Sequence, residues 1–186
     1  LFNLRVFRGL DTLVSAGLGG GSLVYANVLL RKDERWFVRE DLDNGGFEHW
    51  PITRTDLDPH YDRVEAMLKP QRYPFDHAPY SRTSKTLAFK AAAEKLGMEW
   101  MLPPLGVTFA NPGRPPVPGE AIEEEHPNLH GATRYTCRLT GECDVGCNLG
   151  SKNTLDYNYL TEAWRLGAEL RTDSDVMALE PRDQGG

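Results

Sequence analysis

Two stretches concentrate the residues able to do chemistry. The first is residues 17–27, GLGGGSLVYAN, in which four of the first five residues are glycine and an apolar segment follows. Glycine permits positive φ and close approach of a ligand, and successive N–H groups at such a turn can face an anion such as a nucleotide phosphate. The spacing fits neither common phosphate loop. A P-loop needs Lys and Ser/Thr after its last glycine, whereas Gly21 is followed by Ser22 and Leu23. The dinucleotide fingerprint G-x-G-x-x-G would begin at Gly17 and Gly19 and then meets Ser22 in place of its third glycine. Taken alone, the run reads equally as a nucleotide contact or a tight structural turn.

The second stretch is CRLTGECDVGC, with Cys137, Cys143 and Cys147 spaced C-x5-C-x3-C. Thiolates this close in a glycine-punctuated loop suit an iron–sulfur cluster. With His126 or His130 as a fourth ligand, they suit a zinc knuckle. The plainer alternative is a tightly folded loop shaped by Gly141, Gly146 and Gly150, and the absence of a CxxC pair favours it, so no metal is expected. His49, His60, His77, His126 and His130 read as surface or structural residues rather than catalytic ones.

A chain of 186 residues with 40% apolar residues can build one domain or somewhat more. Its 18 glycines and 13 prolines imply many loops. A net charge of −6 argues against nucleic acid or an anionic membrane as partner. The apolar run 23–30 is too short to span a bilayer, and no integral membrane segment is expected. The chain opens at Leu1 without methionine, so the natural N-terminus is expected upstream. An odd count of three cysteines disfavours a disulfide framework and favours a reducing compartment, here read as cytoplasmic.

The elements that would position these residues follow from periodicity. Residues 11–30 read as a short strand, the glycine turn and a buried apolar element. Residues 32–43 suit an exposed helix or loop anchored by Trp36 and Phe37. A helix is predicted over 55–68, starting at Thr55 or Asp56, with Leu57, Tyr61, Val64 and Leu68 at helical spacing and Pro70 as its stop. Residues 71–80 read as irregular. Residues 84–96 form the clearest helix, capped by Ser84 and ended by Gly97. Residues 109–120 read as a long surface loop. A further helix is predicted over 154–166, with Leu155, Tyr159, Ala163 and Leu166 on one face and Gly167 as cap, and then strand, turn and strand over 168–179.

In order, LVSAGLGGGSLVYANVLL (13–30) and CRLTGECDVGCNLGSKNTLDYNYLTEAWRLGAEL (137–170) resemble two signature stretches of the glucose–methanol–choline (GMC) flavoprotein oxidoreductases, most closely their cholesterol-oxidase-like bacterial branch. The helix over 61–68 and AAAEKLG echo the family in the same order, so the resemblance covers nearly the whole chain. It implies an α/β fold with an α+β substrate-side portion. Residues 1–30 and 151–186 would belong to a Rossmann-like FAD-binding domain, and 31–150 to a substrate-side cap with excursion loops. The family's N-terminal βαβ unit and its C-terminal catalytic part, with the active-site histidine, are expected outside this chain, and no catalytic residue is assigned within it.

Carried over residue by residue, Gly17, Gly19, Gly20, Gly21 and Ser22 match the loop that passes along the flavin. Where the family usually has an asparagine four residues after the last glycine, Tyr25 stands here, with Asn27 two places later. Val28 matches a position near flavin and substrate, and Val176 a strand whose backbone meets the adenine. The resemblance implies the middle section of an FAD-dependent enzyme that oxidises the CH–OH group of a sterol or other bulky alcohol, partnered by the rest of its own polypeptide. The alternatives are an iron–sulfur dehydrogenase of the same family, or a non-enzymatic metal or interaction module built around residues 126–147.

Overall fold

Apolar and polar residues alternate from Phe2 to Val6, and the structure, a computed structural model describing residues 2–180, makes this stretch a strand. Strand β1 (Phe2–Phe7) pairs antiparallel with β2 (Leu10–Ser15), placing Leu4 opposite Leu13 and Phe7 opposite Leu10. Both faces of this hairpin expose apolar side chains, among them Leu4, Val6, Leu10 and Leu13. The chain then turns through a short 3-10 helix, Gly20–Leu23. The segment after it is not the buried apolar element the sequence suggested. It is irregular, broken by Asn27 at φ 61, with Val28 and Leu30 exposed. Its backbone is spent instead on a distant segment: Leu29 N donates to the Pro104 carbonyl and Gly106 N to the Asn27 carbonyl.

A second 3-10 helix, Glu34–Phe37, buries Phe37 and leaves Trp36 exposed. Strands β3 (Val38–Glu40) and β4 (Phe47–His49) form a small antiparallel pair. Helix α1 runs Arg54–Leu68, starting slightly earlier than periodicity alone indicates. Its cap is Thr53, whose hydroxyl accepts from Asp56 N while the Asp56 carboxylate accepts from Thr53 N, a reciprocal box that satisfies two orphan donors. Strand β5 (Gln71–Arg72) pairs with β6 (Pro104–Leu105), and α2 spans Ser84–Lys95. Thr83, not Ser84, stands at the start of α2, and its hydroxyl donates to the Tyr80 carbonyl rather than capping.

The predicted helix over 154–166 is interrupted. Leu155–Tyr157 is a 3-10 turn, Asn158 departs from helical geometry at φ −133 and ψ −87, and only Tyr159–Arg165 is α-helix (α3). Residues 168–180 form no strand, so the predicted strand–turn–strand is absent, and Val176 is 80% exposed. Residues 1 and 181–186, the outer ends of the two proposed flavin-domain portions, lie outside the described residues. Among those described, the three sheets are two-stranded and antiparallel. The architecture is therefore a mixture of small strands and helices, and the parallel sheet of a Rossmann-like domain is not among the described elements.

The interior is built more from hydrogen bonds than from apolar packing. Tyr80, Val107 and Phe109 form the apolar centre, with Tyr73, Leu105 and Cys137 against it. Around them lie buried Thr108, Asn111, Arg134, Thr136, Ser151, Lys152 and Asn153. Residues 109–120 lack regular structure, as expected, but their beginning is core rather than surface. Gln71 Oε1 accepts from Phe109 N at 2.7 Å and Ala110 N at 3.1 Å, and Gln71 Nε2 donates back to the Ala110 carbonyl.

Arg31 ties the segment after the glycine turn to α1. It donates twice to Glu65, at 2.7 and 2.6 Å, and once each to Asp58 and Asp62. Hydrogen bonding to Arg31 is the main force holding the Glu65 carboxyl below its ordinary range; Asp58 is lowered chiefly by Arg54 and further by Arg31. A carboxyl with a depressed folded-state pKa adds stability above its unfolded value, near pH 4, and loses it as acid titrates the folded form. Arg31→Met is therefore expected to lower the Tm at pH 7 and to lessen its fall between about pH 5 and 3. Parallel pH–Tm curves for variant and wild type would contradict this.

Candidate functional site

The two motif stretches meet in space through residues 129 to 133 positions apart in the chain. Segment 104–109 lies between them: Val28 bridges Leu105, Val107 bridges Lys152, Thr108 N donates to the Ser151 carbonyl, and Asn153 N donates to the Gly106 carbonyl. The glycine turn touches the second motif directly. Ser22 Oγ donates to the Gly19 carbonyl at 2.8 Å and accepts from Leu155 N at 3.0 Å, which commits this hydroxyl to the protein's own framework.

Lys152 makes the densest of these links, and sequence reasoning passed it over inside the quoted motif. Its side chain is 1% exposed. Nζ donates to the Leu23 carbonyl at 3.0 Å, to the Tyr25 carbonyl at 3.2 Å and to the Cys143 carbonyl, and it lies 5.1 Å from the centre of the Tyr25 ring. Burial lowers its pKa, and the neighbouring Cys143, Cys147, Asp144 and Asp156 act in the opposite direction. Asn153 joins three further segments. Its Oδ1 accepts from Thr108 Oγ1 and Arg134, and its Nδ2 donates to the Leu68 carbonyl at 2.8 Å. The visible signal for both residues was a lysine and an asparagine standing together just before the predicted helix over 154–166.

Tyr25 is turned inward, with its hydroxyl making a long 3.5 Å hydrogen bond to the Asn153 carbonyl. Burial, with the Cys143 thiol nearby, pushes its pKa up to about 12, so it acts as a neutral hydroxyl. Gly106 makes room for it: a Cβ there would fall inside contact distance of the Tyr25 hydroxyl and 3.2 Å from Leu29 Cδ1. Gly106→Ala is expected to cost about 1–3 kcal/mol of stability, the usual penalty of overpacking. Adding Tyr25→Phe removes the clashing oxygen and is expected to restore part of that loss in urea unfolding. A double variant no more stable than Gly106→Ala would place the strain elsewhere.

The glycines divide by what explains them. A Cβ at Gly17 would stand 3.0 Å from Leu23 Cδ1, and one at Gly19 3.2 Å from Leu23 Cδ2, so internal packing accounts for both. Gly20 has φ +55 with open space beside it. Gly21 has neither a positive φ nor any atom within 4 Å of a built Cβ. Nothing among the described residues requires glycine at position 21, and its open flank is the kind of cradle a bound group would fill. Asn27 contributes its carbonyl to Gly106 N, and Val28 stands exposed beside it. Val176 lies in the exposed, irregular segment described above.

Cys137, Cys143 and Cys147 are free thiols. Burial pushes Cys137 and Cys143 above the ordinary thiol range. Among the described residues no three His, Cys, Asp or Glu side chains are placed to hold a metal ion. His130 Nε2 pairs with Asp156 Oδ2 at 2.8 Å, and His126 stands 3.6 Å from Glu125. A cleft of about 450 Å³ borders the network on another side, walled by Asn111, Glu124, Arg134, Asn153 and Tyr157 among others. Its lining mixes charged side chains with apolar ones such as Met67, Leu68 and Ile122.

Compared with known proteins, the chain is 32% identical over 184 residues, 98% of its length, to the cholesterol oxidase of Mycobacterium tuberculosis, in strains CDC 1551 / Oshkosh and ATCC 25618 / H37Rv alike. The chain is similar to cholesterol oxidases over nearly all of its own length. It is also 29% identical over 180 residues, 97% of its length, to the cholesterol oxidase of Acinetobacter baumannii. The resemblance to the cholesterol-oxidase-like branch of the GMC family, carried by the two motifs, is thus borne out along the whole chain. The chain spans 30% of the length of these cholesterol oxidases. No protein-family model and no solved structure matches it. No helix among the described residues is long and apolar enough to cross a membrane.

Proposed function

We propose that the chain is the middle section of an FAD-dependent oxidoreductase acting on the CH–OH group of a sterol or other bulky alcohol. The observation that carries this reading is near end-to-end similarity to cholesterol oxidases, with the two motifs joined into one framework. The unexplained glycine at position 21 and the open flank of Gly20 fit a flavin lying against the turn. Bound FAD would supply the hydride acceptor for the alcohol carbon. The chain's own residues would bind and orient. Gly20 and Gly21 give the cofactor close access to the backbone, with Gly17, Gly19 and Ser22 shaping the turn from within. Tyr25 fixes the loop's inner side, Asn27 its exit, and Val28 the substrate-facing surface. Val176 is assigned to the adenine end through its main chain.

Residues 1–30 and 151–186 are assigned to the flavin-binding portion, a division supported by the contacts of Lys152, Ser22 and Leu155. Residues 31–150 are assigned to the substrate side. No residue of the chain is assigned as the catalytic base.

The test is to purify the full-length protein carrying this chain and measure flavin content and turnover of a 3-hydroxysterol against short primary alcohols. Flavin near one per chain with sterol turnover supports the reading, and a colourless protein that binds no added FAD overturns it. Gly20→Val is expected to reduce flavin content to below about a tenth of wild type, because a branched residue resists positive φ and fills the open flank. Normal flavin content in that variant would assign the turn another role.

A further inference from the structure

Lys152 carries a charge where packing alone would not place one. A buried ammonium is costly unless its hydrogen bonds and charge are compensated. Here all three N–H donors are used, on the carbonyls of Leu23, Tyr25 and Cys143, and the Tyr25 ring lies beneath the cation. Two of these carbonyls belong to the residues that leave the glycine turn. Drawn inward onto one cation, they fix the direction in which the turn faces, and Gly20 and Gly21 are left on its open side. The third carbonyl belongs to the cysteine loop, which thereby serves as the anchor.

We propose that Lys152 is a positioning residue for the cofactor: its ammonium clamps the glycine turn to the cysteine loop and holds the turn in the shape that receives the flavin. This rests on the reading that the turn binds FAD. The hydrogen bonds of Lys152 go to backbone carbonyls, so its influence on the cofactor would pass through the Leu23 and Tyr25 carbonyls. A neutral side chain of similar length would fill the space and leave those carbonyls unheld.

The experiment compares Lys152→Met and Lys152→Ala with wild type in the full-length protein. Three quantities are measured: FAD dissociation constant, amide exchange of residues 19–27 in the flavin-free protein, and exchange in α1 as a control. Lys152→Met is expected to weaken FAD binding at least about tenfold, in keeping with the loss of charge-assisted hydrogen bonds. It is also expected to speed exchange in residues 19–27 while leaving α1 unchanged. Propylammonium, which matches the atoms removed in Lys152→Ala, is expected to restore FAD affinity, and propanol is not.

Lys152→Met that binds FAD within about twofold of wild type, a difference too small for a lost charged hydrogen bond, overturns the proposal. So does rapid exchange spread equally through α1 without rescue by propylammonium, which would mark a general loss of folding. A wild-type protein that binds no FAD overturns the flavin reading together with this one. Flavin-loaded wild type with an indifferent Lys152→Met overturns only the assignment of Lys152.

Discussion

Tyr80→Ala is expected to destabilise the protein by about 3–5 kcal/mol, the range for truncating a buried aromatic side chain. Tyr80 is 0% exposed and belongs to the small apolar centre with Val107 and Phe109. Its ring meets those of Tyr73 and Phe109 edge-on, at centroid distances of 5.8 and 5.5 Å. Such pairs add to the area they bury. The hydroxyl donates to the Cys137 carbonyl at 2.6 Å, pinning the start of the cysteine loop to the core. Burial pushes its pKa up to about 12, so it stays a neutral donor across the physiological range. Tyr80→Phe separates the two contributions: it keeps the ring and leaves the Cys137 carbonyl without this donor, for an expected loss of about 1–2 kcal/mol. Urea unfolding of both variants measures the difference. An alanine variant within about 1 kcal/mol of wild type would show that the aromatic cluster is not the centre of stability.

Arg134→Met is expected to cost a comparable amount, about 3–5 kcal/mol, because it removes one partner of a buried charge pair. The Arg134 side chain is 9% exposed and pairs with Glu124 at 3.1 Å. It also donates to the Gly150 carbonyl at 2.7 Å and to Asn153 Oδ1 at 2.5 Å, and it stacks 4.6 Å from the Tyr157 ring centre. Three segments of the fold thus converge on one guanidinium. Methionine fills part of the volume but leaves the Glu124 carboxylate without its cation. The double variant Arg134→Met/Glu124→Met removes both charges and is expected to be more stable than Arg134→Met alone, since the stranded charge is then gone. Strict additivity of the two single changes would mean that the pair contributes no coupling.

Helices α1 and α2 and the glycine turn were legible from the chain because local signals specify them. The helical spacing of Leu57, Tyr61, Val64 and Leu68, the alanine-rich run after Ser84 and the glycines at 19–21 act over short stretches, whereas the box at Thr53 and Asp56 was seen only in the structure. The relationship to cholesterol oxidases was legible for a similar reason: it resides in two contiguous motifs whose residue order survives without reference to the fold. Strand β1 was overlooked beside the glycine run that follows it, although Phe2, Leu4 and Val6 alternate with more polar neighbours.

The tertiary structure alone decided where polar groups went. The helix predicted over 154–166 breaks at Asn158, and its buried residues are Thr154, Asp156 and Thr161 rather than the apolar face Leu155, Tyr159, Ala163 and Leu166. Thr161 Oγ1 accepts from Leu129 N and donates to the Asp156 carbonyl, a demand set from 32 residues away that helical periodicity does not register. Residues 168–180 were read as strand, turn and strand but have no paired neighbour among the described elements, and a strand exists only through its ladder. The sequence by itself determined the likeness to cholesterol oxidases, the glycine turn and the helices with strong local signals. Only the tertiary structure brought Lys152 beneath Tyr25 and Asn153 against Thr108, because a buried polar side chain is placed by the distant partners that satisfy it.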